Sequence, residues 1–175
     1  KEVFKEKITK MAAIAVLYPE IVHIVVRGDS PAKTFGDLKG LKVGVGAPGS
    51  GTEANFRQLQ EVYGMKKDDV IGQYLSYAES ADQFKDKHID SFFLTTGVPN
   101  SAIMDVANTR PIKLLSIEDA MVAKLTQLYP FLAPAKIPAN TYKGQTEEVK
   151  TIAVMAVLIA HPKLSEQVGY NITKA

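Results

Sequence analysis

The chain has 175 residues, with 21 Lys and Arg against 19 Asp and Glu for a net charge of +2, and it is 46% hydrophobic and 23% charged. That balance excludes a disordered tail, a collagen and a coiled coil, and it lacks the phosphate-seeking field of a dedicated nucleic-acid binder. The absence of cysteine excludes disulfide scaffolds, thiol catalysis and cysteine-based zinc sites.

Residues 11–17 form a short apolar run that Tyr18-Pro19 is expected to end, because proline cannot donate to a sheet ladder. Residues 21–26 are rich in β-branched side chains and read as a strand running into the turn Gly28-Asp29-Ser30-Pro31. Residues 35–39 fit one helical turn, and residues 41–45 a short strand. A glycine-rich loop, Gly46-Ala47-Pro48-Gly49-Ser50-Gly51, leads into a helix over residues 52–63, with Phe56, Leu59 and Tyr63 on one face and Gly64 placed to stop it. Residues 73–77 read as a strand and 78–87 as a polar helix. Residues 89–96 form a strand with Phe92-Phe93 at its centre, and 99–108 a helix with proline in its first turn. A strand over 112–117 and a helix over 120–128 follow. Residues 129–140 are proline-rich and extended, 151–160 form a strongly apolar run, and 162–175 an amphipathic helix carrying Leu164, Val168 and Ile172. Strands alternating with helices predict an α/β sheet with parallel pairs, and ligands on such sheets sit at the carboxyl ends of the strands. Two loops occupy that position: residues 46–52 and 95–100.

The first loop has three readings. Gly44-Val45-Gly46-Ala47-Pro48-Gly49 matches G-x-G-x-x-G between a strand and a helix, as in dinucleotide sites, but Pro48, Gly49, Ser50 and Gly51 delay the helix past the third glycine. The glycine spacing of a phosphate loop is present too, with Thr52 where that motif needs lysine. What remains is a helix N-terminus, whose first amides are unpaired and lie at the positive end of the dipole. Ser50-Gly51-Thr52-Glu53 fits a capping box, with Ser50 as N-cap and Glu53 reaching back to its amide. Either it is only a well-capped helix, or the amides of Gly51 and Thr52 and the hydroxyls of Ser50 and Thr52 receive a ligand carboxylate. In the second loop, Thr95 and Thr96 offer hydroxyls before Gly97, or else Gly97 and Pro99 simply make a turn.

Other candidates are weaker. Tyr18, Glu20 and Tyr142 are ordinary surface or packing residues. His23, His88 and His161 lack metal-ligand spacing, and His23 reads as a packed histidine. There is no G-x-S-x-G elbow, no acid–base pair stands out, and Asn171-Ile172-Thr173 is a sequon inside an expected helix.

Four ordered blocks carry a resemblance. Leu17-Tyr18-Pro19-Glu20-Ile21-Val22-His23-Ile24-Val25-Val26-Arg27, residues 38–53, Ile89-Asp90-Ser91-Phe92-Phe93 with Gly97-Val98-Pro99-Asn100, and Ile137-Pro138-Ala139-Asn140-Thr141-Tyr142-Lys143-Gly144-Gln145 resemble the TAXI family, the extracytoplasmic solute receptors of TRAP transporters. Ser101 and Lys143 stand where that family has proline. The resemblance implies a periplasmic-binding-protein type II-like fold, with a ligand clamped between two lobes, no cofactor and no catalysis. It also implies a periplasmic or otherwise extracytoplasmic location and TRAP membrane permease subunits as partners. The implied ligand is a small organic anion, glutamate or a related amino or dicarboxylic acid. By position, Ser50, Gly51 and Thr52 would hold the anionic group. Thr95, Thr96 and Gly97 would line the opposite wall, and Tyr18 would sit at the hinge against the ligand stem.

Family members carry an N-terminal segment that builds most of the first lobe. The present chain is expected to hold the second lobe over 21–149, with first-lobe remnants and crossing segments at 1–20 and 150–175. It opens at Lys1 without an initiator Met or signal peptide and so reads as trimmed, and is expected to bind ligand weakly alone because half the cleft contacts would be missing. Two alternatives stay open: a nucleotide-binding α/β oxidoreductase using residues 44–49, and a cytoplasmic effector-binding regulator domain of the same fold.

Overall fold

A computed structural model describes residues 10–174. The chain divides into two compact units, Glu20–Val154 and, together, Lys1–Pro19 with Met155–Ala175.

Among the described residues one seven-stranded sheet has the order β3-β2-β4-β1-β7-β6, with β5 also paired to β1. Its strands are β1 (Ala12–Arg27), β2 (Lys42–Gly44), β3 (Ile71–Gln73), β4 (Ser91–Thr96), β5 (Ile112–Leu114), β6 (Leu132–Ile137) and β7 (Val149–Ala160). The helices are α1 (Gly51–Val62), α2 (Tyr77–Lys85), α3 (Ser101–Thr109), α4 (Asp119–Leu128) and α5 (Glu166–Lys174). β2 runs parallel to both β3 and β4, whereas β1 is antiparallel to β4 and β5, and β6 to β7. The carboxyl ends of β2, β3 and β4 therefore share one edge, and the reversed β1 brings its residues 20 and 21 to that same edge, with Ile21 opposite Thr96.

The period-two alternation of a strand explains how the larger unit is layered. On β4, Phe93 enters one core cluster while Phe92 and Leu94 enter another. On β1, Val22, Ile24 and Val26 join the first and Val25 the second. Phe56 and Leu59 of α1 and Val122 and Leu125 of α4 close the first face; Phe84 of α2 and Ile103 and Val106 of α3 close the second. Phe56 meets Phe35 and Phe93 edge-on, with ring centroids 5.2 and 5.3 Å away, the offset geometry that aromatic quadrupoles favour. These clusters fix the strand ends from which the helices start.

Two expectations about elements change, and a third sharpens. Pro19 does not end a strand: β1 runs through it for 16 residues. Pro19 is exposed, and proline is tolerated where its nitrogen serves no ladder bond. The strand expected over 73–77 stops at Gln73, and Tyr77 instead opens α2 behind an N-cap at Ser76. The extended stretch 129–140 holds β6.

In the smaller unit α5 buries none of its residues, and Leu164, Val168 and Ile172 are each about two-fifths exposed (39%, 44% and 42%).

Candidate functional site

The loop after β2 is built by glycine. Gly46 and Gly49 have φ of 96° and 74°, a region that L side chains rarely adopt. A Cβ on Gly46 would also lie 2.8 Å from Cγ2 of Thr52, so the loop folds tightly under the start of α1. Ser50 is extended (φ −75°, ψ 159°), and its Oγ accepts from the Glu53 amide at 3.1 Å. The returning carboxylate bonds one residue further upstream than expected: the Gly49 amide donates to Glu53 Oε2 at 2.6 Å, because the Ser50 amide already donates to the Ala47 carbonyl at 3.1 Å. The amides of Gly51 and Thr52, at the first two helical positions, have no carbonyl one turn back in the helix.

α2 starts in the same way beside it. Ser76 Oγ accepts from the Glu79 amide at 3.3 Å, and Glu79 Oε2 accepts from the Ser76 amide at 2.8 Å. The Ser76 hydroxyl and amide hold the Glu79 carboxyl below its usual range.

Both helix starts line one pocket of about 480 Å³. α1 contributes Ser50, Gly51, Thr52 and Asn55; α2 contributes Tyr77 and Ala78 behind its cap Ser76. Thr95 closes the end of β4, and Glu20, Ala47 and Val154 complete the described lining. All of these belong to the unit Glu20–Val154. No lysine or arginine is among these described residues, so attraction for an anion there would have to come from the two helix dipoles and their unpaired amides.

The floor is tied together by hydroxyls. The Tyr77 hydroxyl donates to the Thr95 carbonyl at 2.5 Å and lies 3.0 Å from Thr52 Oγ1. Thr52 Oγ1 also accepts from the Thr95 amide at 3.3 Å. Thr95 Oγ1 donates to Asn55 Oδ1 at 3.1 Å, and Asn55 Nδ2 to Gln58 Oε1 at 3.0 Å.

The expected site residues thus separate. Ser50, Gly51, Thr52 and Thr95 come together at the pocket, but the Thr52 and Thr95 hydroxyls are directed into the floor network, because both side chains are nearly fully buried. Thr96 and Gly97 are not in the lining: Thr96 Oγ1 accepts from Asn100 Nδ2 at 3.1 Å, which turns it toward α3. Tyr18 belongs to the other unit, is 52% exposed, and is absent from this lining. Composition missed Asn55, Ser76, Tyr77 and Ala78. The Ser76-x-x-Glu79 spacing is itself a helix-start signature that would have pointed to three of them.

Two chemistry readings meet the geometry here. α1 begins at Gly51, two residues beyond Gly49, so the third glycine of the G-x-G-x-x-G match lies outside the helix that it would have to enter. Among the described residues no group of three or more His, Asp or Glu side chains is placed to hold a metal.

The fold is shared with known proteins. The sequence profile of the NMT1-like family matches residues 1–175. The chain belongs to the NMT1-like family. Among solved structures, this family member is similar to the periplasmic aliphatic sulphonate-binding protein SsuA of Escherichia coli, at 19% identity and a TM-score of 0.53 over 83% of this chain and 41% of that one. It is similar to the periplasmic sulfonate-binding protein SsuA of Methylobacillus flagellatus KT, at 18% identity and 0.55 over 90% and 38%. It is also similar to arginine-bound, truncated ArgBP of T. maritima, at 15% identity and 0.54 over 94% and 58%. At these identities the likeness establishes the fold, the mixed α/β architecture of periplasmic solute-binding proteins expected above. The chain spans between about two fifths and three fifths of those proteins (38% to 58%). No described helix is long and apolar enough to cross a membrane.

Proposed function

We propose that this chain is the ligand-holding part of a non-enzymatic, extracytoplasmic solute receptor that takes a small organic anion, glutamate or a related acid, and presents it to a TRAP-type transporter. One observation carries the reading: the N-terminal turns of α1 and α2 converge on a single pocket that has no basic side chain in its lining. Two dipole ends, each equivalent to about half a positive charge, suit one negative group. The four sequence blocks that resemble the TAXI receptors support the transporter type, and the solute-binding neighbours support a binding rather than a catalytic role. The sulfonate ABC transporter named for the Methylobacillus neighbour favours a second reading, an ABC-type partner for the same anion chemistry.

Calorimetry on the full natural polypeptide tests the ligand class, with L-glutamate, glutarate and taurine as probes. Saturable binding of at least one, weakened by salt, is expected. No binding of any, or a co-purified ligand seated away from residues 50–52, overturns the reading. Reconstitution with each permease type in turn tests the membrane partner.

A further inference from the structure

We infer that Glu20 is a specificity-determining residue of this pocket, selecting anions that also carry an ammonium group; the assignment rests on the reading of the pocket as an anion site. Glu20 is half-buried in the lining, and its carboxylate makes no hydrogen bond or ion pair among the described residues. Its situation contrasts with that of the two acids at the helix starts. Glu53 accepts the Gly49 amide and Glu79 the Ser76 amide, so both are consumed by capping. Among the described residues, Glu20 carries the one formal charge in the pocket lining.

Topology separates it from the anion socket by a ligand-sized distance. α1 springs from the end of β2, and Glu20 lies on β1, with β4 between them. Two strand spacings are about 10 Å, and Glu20 lines the same pocket as Gly51 and Thr52. A ligand a few carbons long spans it, with its anionic end on the amides of Gly51 and Thr52 and its other end at Glu20. With Glu53 and Glu79 already offsetting part of the two dipole ends, the unpaired amides of Gly51 and Thr52 can hold one carboxylate or sulfonate. A second anionic group would meet Glu20 with no cation to offset it, whereas an ammonium there forms an ion pair. Repulsion of the wrong ligand gives as much selectivity as attraction of the right one.

The experiment uses two matched pairs that differ by one ammonium: L-glutamate against glutarate, and taurine against ethanesulfonate. Dissociation constants are measured on the intact protein and on Glu20→Gln, with thermal denaturation reporting that the variant folds. The amine-bearing member is expected to bind at least about ten-fold tighter to the wild type. Glu20→Gln should bring that ratio near one by weakening the amine-bearing ligand and strengthening the other. A wild-type ratio near one, or a ratio unchanged in Glu20→Gln, overturns the Glu20 assignment and leaves the anion site standing. Binding of neither member of either pair overturns the anion site and the assignment with it. If Glu20→Gln does not fold, Glu20→Asp, which keeps the charge but withdraws it, should lower the ratio without abolishing it; an unchanged ratio there overturns the assignment equally.

Discussion

Two helices leave the carboxyl edge of the sheet from neighbouring strands, α1 after β2 and α3 after β4, and they meet opposite fates. At α1 the cap is a serine that takes one amide, that of Glu53, and a glycine at the next position keeps the approach open. At α3 the cap is Asn100, whose Oδ1 accepts from both Ala102 and Ile103 amides at 3.0 and 3.2 Å. Its own amide donates to the Tyr142 hydroxyl at 3.0 Å. That hydroxyl in turn donates to His23 Nε2, 2.9 Å away, and His23 Nδ1 donates to the Ile21 carbonyl at 2.9 Å. The carbonyl can only accept, so the ring proton is on Nδ1. One helix start opens on the pocket and the other is filled by the protein's own polar groups. The same strand-end position thus gives an open or a closed helix start according to the chemistry of the cap.

The largest expected effect lies at the filled end. Burial pushes the His23 imidazole down to about 4, against a smaller opposing effect of the Ile21 carbonyl. The unfolded chain titrates near 6.5. Between these values the unfolded state binds the extra proton, so this contribution to stability is complete above about pH 6.5 and is lost as pH falls toward 4. About 3 kcal/mol should disappear over that window at about 1.4 kcal/mol per pH unit. Urea denaturation at stepped pH reads it, and a His23→Gln variant with the same pH dependence as wild type would refute it.

At the open end, Gly51→Pro removes one donor while respecting the helix. Proline is accepted at the first helical position, and Ser50 before it is already extended. Anion affinity should fall roughly 10- to 100-fold, the value of a hydrogen bond to a charged group, with stability changing by less than about 1 kcal/mol. Unchanged affinity would close the socket reading.

Asn100→Ala should cost about 1 kcal/mol, and Asn100→Gly only a few tenths, as for an N-cap; neither should alter anion binding. Denaturant midpoints and calorimetry check both halves. The smallest effect belongs to Gly97→Ala. A Cβ there meets nothing within 4 Å, so stability should stay within about 0.5 kcal/mol and affinity should be unchanged. A clear loss of affinity would return residues 95–97 to the ligand wall.

Much of this was legible in the chain because it depends on neighbours in sequence. The apolar spacing of Phe56 and Leu59 located α1, the Phe92-Phe93 pair located β4, and Ser50 with the glycines located the helix start that lines the pocket. What depended on distant partners was not legible. Nothing near Thr52 or Thr95 reveals that Tyr77 lies between them, or that the hydroxyls read as ligand donors are tied to one another. Thr96 looks as available as Thr95 until Asn100 claims it. Pro19 suggests a break because the run on either side says nothing about which of its edges is paired. Ser76 is the exception, since its capping signature was local and the β-propensity of the preceding residues obscured it.

The phenol oxygen of Tyr77 fastens the start of α1, the start of α2 and the end of β4 at one point. Strand ends ordinarily fray first and exchange their amide hydrogens quickly. Here the Thr95 amide is clasped by Thr52, so deuterium should enter it on the timescale of the sheet interior. The three segments should open as one unit rather than singly, so the pocket floor is set before anything occupies it.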